Sequence, residues 1–231
     1  MKIVFDNYNH DKKCQSLWGF SAYFEKYKLL FDTGSNGRVL LKNMQQLHVN
    51  IEEIEYLFIS HSHWDHIGGI DSILELNKQL TLIVPASLSS YQLKDLEVLT
   101  DKIIICDEQP RKISDKLYST GLLGEDMPEQ SLVINDSIPK LVTGCGHFGI
   151  QNITQAAEKA IGKKIEMAIG GFHLMESDEK DVNKAVEQLQ ELGIKTVLPT
   201  HCTGDLGIKL FQEAYQERYI SGGVGKVFDL A

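Results

Sequence analysis

Short apolar runs punctuate this chain, and most are too brief and too rich in β-branched and aromatic residues to be helices. Ile3-Val4-Phe5, Gly19 to Phe24 and Lys28-Leu29-Leu30-Phe31 predict three strands, the last ended by Asp32-Thr33-Gly34. Val39, Leu40, Met44 and Leu47 recur at helical spacing and predict a helix over 39–47. Tyr56-Leu57-Phe58-Ile59 predicts a buried strand, and Ile67-Gly68-Gly69-Ile70 a turn. A helix over 71–76, a strand over 80–84 stopped by Pro85, a helix over 88–99 and a strand at Ile103-Ile104-Ile105 complete the first half.

The second half repeats this alternation. Residues 107–129, with Pro110, Pro128 and several charges, form the most irregular stretch and read as a connection between halves or an insertion near a site. Strands are predicted over 131–135 and 140–143, a short helix over 154–161, and a strand over 166–169. Val182, Ala185, Val186, Leu189 and Leu192 mark a helix, with Gly193 where its C-terminal cap belongs. Thr196-Val197-Leu198 is a strand halted by Pro199, residues 206–215 a helix, and Lys226-Val227-Phe228 a last strand. Strands interleaved with helices in both halves indicate an α/β fold of stacked layers. No repeat or low-complexity linker interrupts the 231 residues, which read as a single domain, 1–231.

Composition narrows the setting. A hydrophobic content of 42% suits a globular protein with a full core. The formal net charge of -9 disfavours non-specific nucleic-acid binding, so no nucleic-acid partner is expected. Met1-Lys2-Ile3-Val4-Phe5-Asp6 turns polar too early for a signal peptide, and no apolar run is long enough for a membrane span. The expected location is cytoplasmic, where Cys14, Cys106, Cys145 and Cys202, none in a C-x-x-C pair, read as thiols.

The chemistry is concentrated in Ser60-His61-Ser62-His63-Trp64-Asp65-His66, with three histidines and an aspartate inside six positions at the end of a predicted strand. Imidazole and carboxylate are preferred ligands of first-row metals, and packing alone does not account for four of them so close together. His147, His173 and His201 each follow a predicted strand and sit beside glycine, in Gly144-Cys145-Gly146-His147, Gly170-Gly171-Phe172-His173 and His201-Cys202-Thr203-Gly204. A lone histidine at a strand end is more often a satisfied polar group than a ligand. Three in one context, beside the cluster, shift the balance toward a site.

The pattern Ser-His-x-His-x-Asp-His-x-Gly-Gly, with the distant Gly-His and the C-terminal strand-end histidine, resembles the metallo-β-lactamase superfamily over nearly the whole chain. The resemblance implies a four-layer αββα sandwich with a metal site at one edge of its two sheets. By position, His61, His63 and His147 resemble the ligands of a first metal, and Asp65, His66 and His201 those of a second. Asp32 matches an aspartate that supports the ligands from behind, although the same residue type also caps turns through its own side chain. Trp18-Gly19-Phe20-Ser21, Leu30-Phe31-Asp32-Thr33-Gly34, Thr143-Gly144-Cys145-Gly146-His147, Gly170-Gly171-Phe172-His173-Leu174 and Pro199-Thr200-His201-Cys202-Thr203-Gly204 resemble one branch, the 7,8-dihydropterin-6-methyl-4-(β-D-ribofuranosyl)-aminobenzene-5′-phosphate synthase family.

One departure from the family pattern matters. Most dinuclear members carry a metal-bridging aspartate where this chain has His173. His173 is then a ligand, or water alone bridges the metals, or one site only is tightly filled. It is placed near the substrate first and in the metal shell second. Cys145 and Cys202 read as buried thiols, and Trp64 either lines the pocket or covers a loop.

The resemblance implies two divalent metal ions, zinc before manganese or iron, activating a water against a carbonyl or phosphoryl centre. Asp65 would be both ligand and proton acceptor, and His173 a group for proton transfer or substrate binding. The expected substrate is a small molecule, phosphorylated, ester-like or pterin-like. Three classes stay open: a metal-dependent hydrolase, a transferase joining a dihydropterin diphosphate to an arylamine ribofuranosyl phosphate, and a non-catalytic binding protein stabilised by metal.

Overall fold

The computed structural model describes residues 1–100 and 102–229. The chain divides into two compact units. The first comprises Met1–Cys106 and is rejoined, among the described residues, by 223–229; the second is Asp107–Gly222.

In the first unit the elements run β1 (Lys2–Asp6), β2 (Phe20–Phe24), β3 (Leu29–Phe31), α1 (Gly37–Gln46), β4 (Tyr56–Phe58), α2 (Trp64–Ile67), α3 (Ile70–Leu76), β5 (Thr81–Pro85), α4 (Ser90–Leu99) and β6 (Ile103–Cys106). Its six strands lie in chain order. β1, β2 and β3 form an antiparallel meander, and β3 to β6 are parallel, as helical crossovers require. Leu30, Leu57 and Leu82 pack with Leu40 and Met44 of α1 and Ile73 and Leu74 of α3. Leu29, Phe31, Phe58 and Ile83, pointing the other way, are equally buried, with Phe31 stacked on Phe58 at 5.5 Å. Burial of both faces explains why these strands read as continuous apolar runs rather than alternating ones.

The second unit contains β7 (Arg111–Lys112), β8 (Leu117–Ser119), β9 (Leu132–Ile134), β10 (Lys140–Thr143), α5 (Ile150–Ile161), β11 (Met167–Gly170), α6 (Glu179–Leu192), β12 (Thr196–Pro199) and α7 (Gly204–Tyr215). Its plan repeats the first: an antiparallel set, β7 to β10, leads into parallel β10, β11 and β12. Ile150, Ile153 and Ala157 of α5, Val186 and Leu189 of α6 and Phe211 of α7 build its core with Leu141, Ala168 and Val197. The helix α6 starts at Asp178, whose side chain accepts from the Asp181 amide at 2.9 Å, and ends at Gly193 with φ 93°.

Three expectations change. The stretch 107–129 carries β7 and β8 and a bridge between Leu123 and Glu129, so it belongs to the second sheet. The helix expected over 154–161 begins at Ile150, because Gly149, at φ 86°, turns the chain directly into it. Lys226 to Phe228 is not a strand. It meets β1 at the single bridge Lys2–Val227, held by bonds such as Ile3 N–H to Lys226 O at 2.9 Å, which is too little pairing for a ladder.

Tyr215 ends α7 at 2% exposure, and its hydroxyl has no hydrogen-bond partner among the described residues. Burial pushes its phenol up to about 12. Tyr215→Phe is expected to raise stability by about 1 kcal/mol at neutral pH, because it removes an unsatisfied buried hydroxyl. In the unfolded chain a tyrosine ionises near pH ~10. Between about pH 10 and 12 the unfolded state therefore holds fewer protons than the folded one, and this residue makes stability fall as pH rises. Urea unfolding of both proteins at pH 7 and pH 11 checks this; a loss at pH 7 on removing the hydroxyl contradicts it.

Candidate metal centre

Site residues predicted from the sequence stand at the carboxyl ends of the parallel strands in each unit. Asp32 follows β3, the His61 to His66 run follows β4, His147 follows β10, His173 follows β11 and His201 follows β12. Open α/β sheets present ligand sites at these ends, where loops leave a rigid scaffold.

In the first unit Asp32 is fully buried and organises the cluster. Its Oδ1 accepts from the Ser60 amide at 2.7 Å, and its Oδ2 lies 2.7 Å from both Ser60 Oγ and His66 Nδ1. A carboxylate only accepts, so Ser60 Oγ–H and His66 Nδ1–H are the donors. Ser60 Oγ, its proton committed to Asp32, accepts in turn from His61 Nδ1 at 2.8 Å. One carboxylate thereby sets the tautomers of two imidazoles and leaves the Nε2 lone pairs of His61 and His66 for other partners.

Those lone pairs converge with other donors. His61 Nε2 lies 3.0 Å from His63 Nδ1, and His66 Nε2 lies 3.7 Å from Asp65 Oδ2. Two nitrogens about 2.0–2.1 Å from one ion, at right or tetrahedral angles, stand about 2.9–3.4 Å apart. The His61–His63 pair fits that requirement. His61, Asp65 and His66 are buried and His63 partly so, which keeps water from competing for their donors.

The backbone explains the flanking motifs. His63 is the N-cap of the short helix α2, whose single turn carries Asp65 and His66 and runs into the expected turn at Gly68-Gly69. Thr33 ties the Asp32 loop to that helix, donating from its amide at 2.8 Å and its hydroxyl at 2.9 Å to the His66 carbonyl. Gly19, at φ 133°, runs directly beneath Asp65, where a Cβ would strike the Asp65 carbonyl oxygen. Trp64 is 63% exposed.

In the second unit the organising group is Glu129, which the sequence reading missed. It is 2% exposed. Its carboxylate accepts from the amides of Gly144, Cys145, Gly146 and His147 at 2.9–3.1 Å and from His147 Nδ1 at 2.8 Å. It fixes the loop and leaves His147 Nε2 as the acceptor nitrogen. Glu129 stands three residues before Leu132, which pairs with Val142 at the start of β9 and near the end of β10, so the loop after β10 lies within its reach.

Around this loop Cys145 Sγ lies 3.5 Å from His201 Nε2, and Cys202 Sγ lies 3.3 Å from the Cys145 carbonyl oxygen. The rings of His147 and His173 are 4.6 Å apart. A hydrogen bond with Cys202, opposed by burial, holds the His173 imidazole above its usual range. Burial pushes the Cys202 thiol up, yet its bonds with Cys145 and His173 outweigh this and hold it well below the ordinary thiol range. Gly171 packs so closely that a Cβ would meet the Gly144 carbonyl and, at 2.6 Å, Cys202 Sγ.

Six non-glycine residues have positive φ among the described residues, and three are predicted site residues: Asp32 (50°), His173 (53°) and His201 (52°). Each such residue costs about 1–3 kcal/mol, and such strain concentrates at functional sites. Sequence patterns do not reveal it.

Comparison with known proteins agrees with this architecture. Residues 20–103 match the family model of the metallo-beta-lactamase superfamily. The chain is 24% identical to the 7,8-dihydropterin-6-methyl-4-(beta-D-ribofuranosyl)-aminobenzene-5'-phosphate synthase of Methanocaldococcus jannaschii, over 87% of this chain and 84% of that protein. It is 26% identical to an uncharacterized protein of the same organism across the full length of both. A crystal structure described as a metal-dependent hydrolase of the beta-lactamase superfamily superposes with a TM-score of 0.82 at 24% identity, covering 100% of this chain and 98% of that one.

Proposed function

From the metallo-beta-lactamase superfamily resemblance and fold that this chain shows, we propose that it is a metal-dependent hydrolase of a small phosphorylated or ester-like substrate. The observation that carries this reading is the convergence of His61 Nε2 and His63 Nδ1, with Asp32 fixing the tautomers of His61 and His66 through Ser60 and directly. Two imidazole nitrogens at metal-chelating separation, beside buried His66 and Asp65 and with His61 and His66 held from behind by Asp32, make a suitable cage for a cation.

By the family's pattern His61, His63 and His147 would hold one divalent ion and Asp65, His66 and His201 a second, with zinc ahead of manganese or iron. When bound, such ions supply electrophilic activation and a nucleophile at neutral pH. The chain's own residues then do the rest. Asp65, 5% exposed, is the carboxylate poised to take a proton beside the reacting centre. His173, exposed and with its ring 4.6 Å from that of His147, is the group assigned to bind a substrate oxygen or return a proton to the leaving group. Asp32 and Glu129 hold the imidazoles without touching substrate.

A second reading has its own support in the likeness to the dihydropterin-linked synthase over 87% of the chain. In that transferase the same electrophilic centre would bind a diphosphate leaving group, and an arylamine would be the acceptor.

Metal content by plasma mass spectrometry, on protein purified without added metal, tests both. About two ions per chain are expected, with His61→Ala and His201→Ala each losing roughly one. Turnover of phosphoesters by the loaded protein then supports the hydrolase. Turnover only of a pterin diphosphate with an arylamine present supports the transferase. Failure to take up zinc, manganese or iron removes both readings, and metal uptake that stabilises the fold without any turnover leaves a binding protein.

A further inference from the structure

We infer that Cys145 is a metal ligand, and that its sulfur is the donor shared between the ions served by His147 and His201. The inference rests on the metal reading above and concerns a residue that the family pattern leaves out.

Four observations within the second unit carry it. Cys145 Sγ is 3.5 Å from His201 Nε2, and it also lies within 4.8 Å of a ligand nitrogen of His147. A thiolate about 2.3 Å and an imidazole nitrogen about 2.0–2.1 Å from one tetrahedral zinc are about 3.5–3.6 Å apart, so the observed separation is that of two donors on a common ion. The thiol is 5% exposed and rides on a loop whose successive amides are fixed to Glu129, so its position is set by the scaffold. The family pattern assigns His147 and His201 to different ions, and among the described residues Cys145 is a donor within reach of both.

Charge favours the same assignment. The carried-over ligands are five neutral imidazoles and the single carboxylate of Asp65, a thin negative complement for two dications where relatives use a second, bridging aspartate. Metal binding displaces the thiol proton, and the thiolate supplies the missing negative charge. The competing account is a plain thiol–imidazole hydrogen bond from Cys145 to His201 Nε2. It requires that nitrogen to accept a proton rather than hold a metal. Sulfur ligation also carries a selectivity: thiolate favours zinc or iron over manganese and magnesium.

The test is the absorption spectrum of the cobalt(II)-loaded full chain. Wild type and Cys202→Ser are expected to show the near-ultraviolet thiolate-to-cobalt charge-transfer band. Cys145→Ser is expected to bind cobalt without that band and to hold at least one zinc more than tenfold more weakly in a competition titration. Cobalt bound by wild type with no such band overturns the inference while leaving the metal reading intact, and it does so even if the serine variant fails to fold. A band lost in Cys202→Ser instead of Cys145→Ser also overturns it. No cobalt or zinc uptake by wild type overturns the metal reading, and this inference with it.

Discussion

Asp32→Asn is expected to weaken zinc binding by roughly 10–100-fold, the range seen when a carboxylate behind a metal-bound imidazole is removed, with little change in fold. The volume is conserved, and the amide oxygen still accepts from the Ser60 amide. The loss falls on the other side, where Oδ2 now accepts from Ser60 Oγ and His66 Nδ1. An NH₂ group there donates, so Ser60 must turn its proton toward His61, and His66 must move its own proton to Nε2. Both imidazoles are then presented in the wrong tautomer, with a proton where the lone pair should be. Zinc titration against a chromophoric chelator reads the effect. An unchanged affinity would mean that the tautomers are set by the metal alone and that Asp32 serves only the backbone turn.

Glu129→Ala is expected to be the most damaging single substitution for folding. It strands the buried amides of Gly144, Cys145, Gly146 and His147 at once. A buried donor left unsatisfied costs about 1–3 kcal/mol, so four bring a loss of about 4–8 kcal/mol even with some relaxation. That is comparable to the whole stability of a domain. The metal-free variant should unfold at much lower urea or fail to accumulate folded. Glu129→Gln keeps Oε1 as acceptor for the amides of Gly144, Cys145 and Gly146 and gives up the Oε2 bonds to the His147 amide and Nδ1, so it should retain most of the fold while losing the lock on His147. A Glu129→Ala protein with near wild-type urea resistance would show that the loop finds other acceptors.

These two carboxylates also show what sequence can and cannot reveal. The His61 to His66 run was legible because its donors are adjacent in the chain, and a strand followed by a ligand cluster leaves a local imprint. The strand runs of the first unit were legible because burial on both faces makes them apolar throughout. Asp32 was found only through its motif. Glu129 was missed because its partners lie 15–18 residues away across a hairpin, inside a stretch whose prolines and charges read as a connection. The positive φ of His173 and His201 was equally hidden, since histidine carries no preference strong enough to announce it. The tail at 226–228 failed in the opposite sense: its residues suit a strand, but tertiary geometry gives them one bridge.

That tail sets an order on biosynthesis. Residues 107–222 leave the ribosome carrying every strand and helix of their own sheet. The first unit, though begun earlier, is unfinished until the chain from Gly223 emerges, because residues 225–228 bond Met1 and Ile3 at the outer edge of β1. For the length of synthesis the Ile3 peptide groups on that edge lack these partners and are open to pairing with another nascent chain. Truncation before Gly223 would make that exposure permanent, so residues 225–228, which carry none of the proposed metal chemistry, act as the guard on the sheet that carries the His61 to His66 run.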